Sequence, residues 1–307
     1  MKLIRGLSNL RESERGCAVT IGAYDGIHLG HRALLERLLA HGRRLGRPSM
    51  MVTFEPTPRE HLSPEDPPPR LTSWRERWRL LSATRLDFLW LLRFGENVRR
   101  LSAEAFVQLI ARDLGAAVVV IGHDFRFGCN GEATAELMQE AGERLGFEVD
   151  VVPPVTIDGV RVSSSAIRAA LARGDLQLAA RWLGRRYSMR GRVVPGARLG
   201  RTLGFATANL RLDRRRPALG GIFAVQVHGT GSAARPGVAS LGTRPTVAGV
   251  EPLLEAHVFD FGGDLYGREL EVEFVAKLRD EQRFETLDAL VEQMQRDAAA
   301  ARRILHA

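Results

Sequence analysis

Residues 18–31, Ala-Val-Thr-Ile-Gly-Ala-Tyr-Asp-Gly-Ile-His-Leu-Gly-His, constrain the fold of this chain more than any other stretch. The apolar run Ala18, Val19 and Ile21 reads as a short buried strand. A turn containing Gly22 and Gly26 follows, and His28 and His31 stand at the entrance to a periodic run, Arg32–Ala40, that reads as a helix. Strand, glycine turn and helix start in that order make an anion site in an α/β layer, because the first helical N–H groups have no partner and point at the ligand. Gly30 permits close approach of that ligand. Two imidazoles three positions apart share one face of the first turn and can donate hydrogen bonds to phosphate oxygens as their charge grows. Phosphoryl or nucleotidyl transfer is the chemistry this spacing suits. The spacing fits equally well two histidines that only cap the helix and pack against the strand.

The rest of the first half repeats the alternation. A strand over 17–22 leads to a helix over 31–45, a strand over 49–54, a Pro-rich loop from Pro56 to Pro69 and a helix over 73–84. Strands over 88–92, 117–121 and 147–152 then alternate with helices over 102–113 and 132–145. Runs that are apolar on both faces predict a parallel sheet covered by helices, with ligands at the carboxyl ends of its strands. From about residue 184 the texture changes to short β-like runs over 187–194, 221–227, 238–241, 253–259 and 269–275, parted by glycine turns and closed by a helix over 287–304. That pattern predicts a small antiparallel barrel with a terminal helix. The expected domains are 1–183 and 184–307.

At 307 residues the chain has room for two cores. No apolar run approaches the roughly 20 residues that span a bilayer, so no membrane is expected as a partner. The N-terminus lacks a signal-peptide core, and Cys17 and Cys129 are too few for a disulfide framework, which together predict a cytosolic protein with free thiols. Net charge is +8 and nearly all of the positive charge is arginine, Lys2 and Lys277 being the only lysines. Such an excess fits phosphate-bearing small ligands or nucleic acid. It concentrates between Arg185 and Arg216, where Asp213 is the one acid.

Three elements of the first half carry chemistry. The first is the His28/His31 turn. The second is Gly122–Gly128, a strand end with His123, Asp124 and Arg126 between Phe125 and Phe127, suited to flank a ring system or clamp phosphate. The third is Ser163-Ser164-Ser165-Ala-Ile-Arg168. A serine run before an apolar helix supplies an N-cap, and its hydroxyls, free N–H groups and Arg168 make a second phosphate cradle. In the second half, Gly196–Asn209 is Gly-rich and basic, so backbone N–H groups with Arg198 or Arg201 can cradle phosphates. Thr207 and Asn209 alternate along a strand, face one way and offer oxygen ligands of the kind Mg²⁺ takes. No Walker A lysine motif occurs, which excludes a P-loop kinase. Glu255 is a lone carboxylate in an apolar strand, either functional or simply outward-facing.

In this order, Gly-x-(Phe/Tyr)-Asp-Gly-x-His-x-Gly-His, Asp-Phe-Arg-Phe-Gly and Ser-Ser-x-x-Ile-Arg resemble the FMN adenylyltransferase module of the bacterial bifunctional riboflavin kinase/FAD synthetases. Gly-Phe-x-Thr-Ala-Asn, Gly242–Thr246, Leu254–Phe259, Asp264–Gly267 and Lys277–Phe284 resemble the riboflavin kinase module of the same family. The resemblance covers nearly the whole chain. It implies a nucleotidyltransferase-like α/β domain that makes FAD from FMN and ATP, releasing pyrophosphate, and a barrel that makes FMN from riboflavin and ATP with Mg²⁺. By the resemblance His28 and His31 stabilise the reacting phosphates, and Gly22, Asp25, Gly30, Ser164 and Arg168 contact the nucleotide. Asp124, Phe125 and Arg126 contact flavin. In the barrel, Gly196 and Arg201 hold nucleotide, Thr207 and Asn209 sit at Mg²⁺, and Glu255 is the general base toward the ribityl 5′-hydroxyl.

The chain departs from the family pattern at Ala23 and Tyr24 (usually Asn and Phe), Thr57 (His), Cys129–Gly131 (a commonly basic flap), Ala206 (Pro) and Ser240 (Asn). Ala206 frees a backbone angle that proline fixes. Expected partners are riboflavin, FMN, FAD and ATP, with a weak or transient self-association as the only protein partner. A single active module beside one that only binds flavin is the nearest rival. Nucleic acid ranks lower as a partner, because the arginine block coincides with a phosphate-cradling loop and no aromatic platform interleaves it.

Overall fold

The computed structural model describes residues 1–6, 9–196, 203–214, 216–246 and 249–306, with side chains left aside at 244–251. The chain divides into two compact units, residues 1–68 with 77–162, and residues 69–76 with 163–307.

The first unit carries β1 (Lys2–Arg5), β2 (Ala18–Ile21), α1 (Leu29–Leu45), β3 (Ser49–Phe54) and α2 (Pro58–Leu62). The helix α3 (Trp74–Ser82) begins in the stretch assigned to the second unit. Next come β4 (Phe88–Leu92), α4 (Glu96–Arg99), α5 (Ala103–Gln108), β5 (Val118–Gly122), α6 (Ala135–Leu145), β6 (Glu148–Val152) and the small hairpin β7 (Thr156–Ile157) and β8 (Val160–Arg161). Six strands form one sheet in the order β1-β4-β3-β2-β5-β6, and every pairing in it is parallel. Every residue of β2 and β3 is buried, as continuous apolar strands under two helical layers must be. Trp90, Met50, Val52, Val119, Ile121, Ile110 and Met138 fill the core. After β2 the chain winds outward through β3 and β4, then returns to lay β5 on the other side of β2. The order therefore reverses between β2 and β5, and the crevice at their carboxyl ends is where such sheets bind ligands.

The second unit holds α7 (Ser164–Ala172), α8 (Leu176–Leu183), β9 (Ser188–Val194), β10 (Ala208–Leu212), β11 (Gly221–His228), β12 (Arg235–Thr246), β13 (Gly249–Val258), β14 (Glu269–Arg279) and α9 (Leu287–His306). The six strands close into a barrel, β10-β13-β12-β11-β14-β9, in which every pairing is antiparallel. Closure leaves no open edge. Leu210, Leu254, Leu241, Phe223, Val272 and Phe274 point into its core. The helix α9 lies on the outside through Ala301 and Ala298 against Ala224, Val238 and Ala276. It is pinned by Asp297, which accepts from Arg279 Nε and Nη2 at 3.0 and 2.7 Å.

Several details differ from the sequence reading. β1 was not expected. The helix expected over 102–113 is α for six residues and then a π turn, Leu109–Asp113. β12 starts before and ends after the expected run. Thr207 stands just before β10 rather than within it.

Candidate active sites

In the first unit, the loop after β2 is wound tightly. Tyr24 (φ 52°), Gly26 (φ 90°) and Ile27 (φ 42°) all take left-handed backbone. For β-branched Ile27 that conformation is strained, and strain of this kind collects at ligand sites. Tyr24 is buried and its hydroxyl meets Thr20 Oγ1, which in turn donates to Val120 O at 2.7 Å. The loop is thereby tied to both strands of the crevice.

His28 is the N-cap of α1, its Nδ1 accepting from the His31 backbone N–H at 3.3 Å. The two imidazoles stack at 3.6 Å between centroids and 17° between planes, with the Tyr24 ring 4.8 Å from His31. The capping role and the shared face are thus both realised. Burial, then the charges of His28 and Arg77, push His31 well below the ordinary histidine value of 6.5. A neutral imidazole keeps one N–H that it can donate. His31 Nδ1 is buried with no hydrogen-bond partner among the described residues. Gly30 has an internal reason to be glycine: a Cβ there would meet His28 Nδ1 and Cε1 at 3.2 Å. At Gly22 a Cβ would press the Tyr24 ring at 3.0 Å. Asp25 is buried in the same loop.

The residue that sequence reasoning missed here is Arg77. It is almost fully buried, donates through Nη1 to Ala23 O at 2.5 Å and through Nη2 to Glu55 Oε2 at 2.6 Å, and so ties the glycine loop to the segment after β3. Nothing in the local sequence separates it from its arginine neighbours; only its burial does. Thr57 is buried and closes a capping box with Glu60 at the start of α2, a structural role for the residue that departs from the family pattern.

On the β5 side, Asp124 is exposed and paired with Arg161. Burial raises its carboxyl, but the Arg161 hydrogen bond and charge outweigh that and hold it below the usual range. Phe125 is half-buried and stacks on buried Phe127 at 5.5 Å, and Arg126 is exposed. Gly122, Asp124, Phe125 and Arg126 therefore share a unit with His28 and His31.

Ser164 and Arg168 belong to the second unit. Ser163 is the N-cap of α7, accepting from Ala166 N at 3.2 Å, so one serine does cap. Ser164 is the first helical residue, and Arg168 Nε donates to Pro69 O at 2.7 Å. In the barrel, Arg198 and Arg201 lie outside the described residues. A Cβ at Gly196 would collide with the Asn209 amide, so the backbone at Gly196 itself lies directly against Asn209. Asn209 is the register partner of Glu255 across β10 and β13, and Ser240 is the partner of Glu255 across β12. Direct partners share a face. Leu254 and Ala256 are buried inside the barrel, so Glu255, half-buried, stands on its outer face in one row with Asn209 and Ser240. Asn209 also lines a groove of about 1120 Å³ with Val194, Pro195, Arg192 and Arg211.

The arginine block has more acidic partners than its own stretch of sequence supplies. Arg186 pairs with Glu273, Arg190 with Glu271, and Arg214, wholly buried, with Glu76. Among the described residues, no group of three or more His, Cys, Asp and Glu side chains forms a metal cluster.

Known proteins sharpen this picture. A family model described as FAD synthetase matches residues 10–166, and one described as riboflavin kinase matches residues 183–305. A bifunctional riboflavin kinase/FMN adenylyltransferase of Escherichia coli (strain K12) is 44% identical over 304 residues, covering 98% of this chain and 97% of that protein. Its counterpart in Pseudomonas fluorescens is 47% identical with the same coverage. A solved Streptococcus pneumoniae structure, described as a macrolide-efflux protein, is 31% identical and superposes with a TM-score of 0.83 over 98% of both chains. In the present chain no helix among the described residues is long and apolar enough to cross a membrane.

Proposed function

Because the chain belongs to the family of bifunctional riboflavin kinase/FMN adenylyltransferases, carrying both family domains in order, we propose a residue-level division of labour for its two activities. The C-terminal domain phosphorylates riboflavin to FMN, and the N-terminal domain adenylylates FMN to FAD. The boundary of activities is taken at 183/184; the riboflavin kinase match spans residues 183–305.

In the kinase reaction, Glu255 accepts the proton of the ribityl 5′-hydroxyl as its oxygen attacks the γ-phosphorus of ATP and ADP leaves. The observation that carries this is the row Asn209–Glu255–Ser240 on one face of the barrel. It sets Glu255 across from Asn209 on one strand and Ser240 on the other. Oxygen donors on Thr207 and Asn209 suit Mg²⁺, which keeps waters and substrate phosphates among its ligands. When bound, the ion would neutralise phosphate charge. Gly196 and Arg201 are assigned to the nucleotide by their place in the Gly-rich motif.

In the adenylyl transfer, an FMN phosphate oxygen attacks the α-phosphorus of ATP and pyrophosphate leaves. No covalent enzyme intermediate is needed, so positioning and charge stabilisation carry the rate. His28 and His31 donate to the reacting phosphates, Gly22, Asp25 and Gly30 shape the loop around the nucleotide, and Ser164 and Arg168 hold the triphosphate. Phe125 offers flavin a half-buried ring, with Asp124 and Arg126 beside it. Arg77 fixes the loop that carries the histidines. The two unpaired cysteines fit a cytosolic enzyme.

The test is a time course with riboflavin, ATP and Mg²⁺, resolving FMN and FAD by chromatography. Glu255→Gln is expected to lose FMN formation yet still make FAD from added FMN; His28→Ala with His31→Ala is expected to accumulate FMN without FAD. Undiminished flux through the targeted step in either variant overturns that role.

A further inference from the structure

His257 lies two residues beyond Glu255 on β13, on the same outer face, and no step above uses it. The β10–β13 ladder ends at the pair Ala208 and Ala256. One residue further out, the imidazole takes over: His257 Nδ1 lies 2.8 Å from Ala206 O. A carbonyl can only accept, so Nδ1 carries the hydrogen and donates. The ring is held from both sides, edge-on to Phe205 at 5.2 Å and to Phe259 at 5.7 Å, and Phe259 is itself capped by the Arg302 guanidinium at 4.2 Å. Ala206 is exposed, and as alanine it leaves free the backbone angle that a proline would fix.

We propose that His257 is a positioning residue of the kinase reaction: by holding the Ala206 carbonyl it sets Thr207 alongside Asn209 for the metal–nucleotide. The proposal rests on the reading that Thr207 and Asn209 hold that ligand. A single hydrogen bond from a ring fixed between two aromatics replaces the constraint that the ladder, ending one residue earlier, does not supply. It acts on the peptide unit joining Ala206 to Thr207 and leaves Glu255 and the flavin side untouched. The expected effect therefore falls on nucleotide binding.

The experiment uses the full chain and three variants. His257→Phe keeps a ring and its edge contacts but has no donor. His257→Asn keeps a donor near the Nδ1 position. Thr207→Ala tests the underlying reading. In His257→Phe, KM for MgATP is expected to rise about fivefold, the factor for a net hydrogen bond of ordinary strength, with KM for riboflavin within about twofold. His257→Asn is expected to restore most of the MgATP value. KM does not depend on how much protein is folded, so partial misfolding does not imitate the result. A second readout needs no nucleotide: amide exchange in the peptide 203–208 of the free protein should quicken in His257→Phe and return toward normal in His257→Asn. An unchanged KM and exchange in His257→Phe overturns the proposal, as does a defect that asparagine leaves in place. Should Thr207→Ala itself leave KM for MgATP unchanged, the reading of the metal–nucleotide site fails instead.

Discussion

Replacing Glu76 with alanine removes the carboxylate on which one corner of the barrel unit is built. Glu76 is 8% exposed at its side chain and Arg214 is 0% exposed. The carboxylate accepts from the backbone N–H groups of Ser73 and Arg190 at 2.6 and 2.7 Å and from Arg214 Nη2. Arg214 keeps Tyr187 Oη at 3.0 Å and the carbonyls of Leu71 and Arg70 at 3.3 and 3.4 Å, so its hydrogens stay partly satisfied while its charge does not. Breaking a buried pair from one side costs about 3–5 kcal/mol, and the two orphaned N–H groups fall within that figure rather than adding to it. Hydrogen exchange measured on peptides of β9 and β11 reads the barrel alone. A loss of that size quickens exchange through barrel opening by about 10²- to 10⁴-fold. Glu76→Gln keeps the shape and one acceptor but not the charge, and should fall between alanine and wild type. Protection in β9 and β11 within about fivefold of wild type in Glu76→Ala, equivalent to roughly 1 kcal/mol, would refute the reasoning.

Further predictions concern the histidine loop. His31 has a folded-state pKa depressed below 6.5, so the unfolded chain binds the extra proton and stability falls as pH drops through and below that value. Urea midpoints between pH 7.5 and 5.5 should show that fall, and His31→Gln should flatten it; equal slopes in both proteins would assign the acid sensitivity elsewhere. Gly30→Ala places a methyl 3.2 Å from the His28 ring, and the ring must move. FAD formation from FMN should drop at least about tenfold, as for misplacement of a reacting group, while riboflavin phosphorylation is unchanged. Equal loss of both activities would point to general unfolding.

Much of the architecture is legible in the sequence where short-range pattern decides it. The strands 49–54 and 88–92 coincide with β3 and β4 because their apolar runs have polar or breaker residues at both ends. β1 escapes notice: Lys2–Arg5 buries only Ile4, and it is a strand because β4 is beside it. β12 is longer than its apolar stretch because Pro236, Gly237 and Gly242 interrupt the pattern without interrupting the pairing with β11 and β13. At the sites, the candidate residues can be read from motif and spacing, but their juxtaposition cannot. Alternation says only that Glu255 faces one side, and the register shows that Asn209 shares that side. Arg77 and Arg214 look like any other arginine, and the acids that neutralise the 185–216 block come from β14 and from residue 76.

Glu76 and Arg214 are 138 residues apart along the chain. At about 5–20 residues per second, the carboxylate is synthesised roughly 7 to 28 s before its guanidinium. In that interval β4, β5 and β6 are made and the parallel sheet has every strand it needs, while Pro69–Glu76 waits for partners not yet synthesised. Holding so long a loop adds little, since closure entropy grows only with the logarithm of length. What separation sets is sequence in time: the barrel is the last part of the molecule to become complete, and the piece of chain it closes on is among the first made.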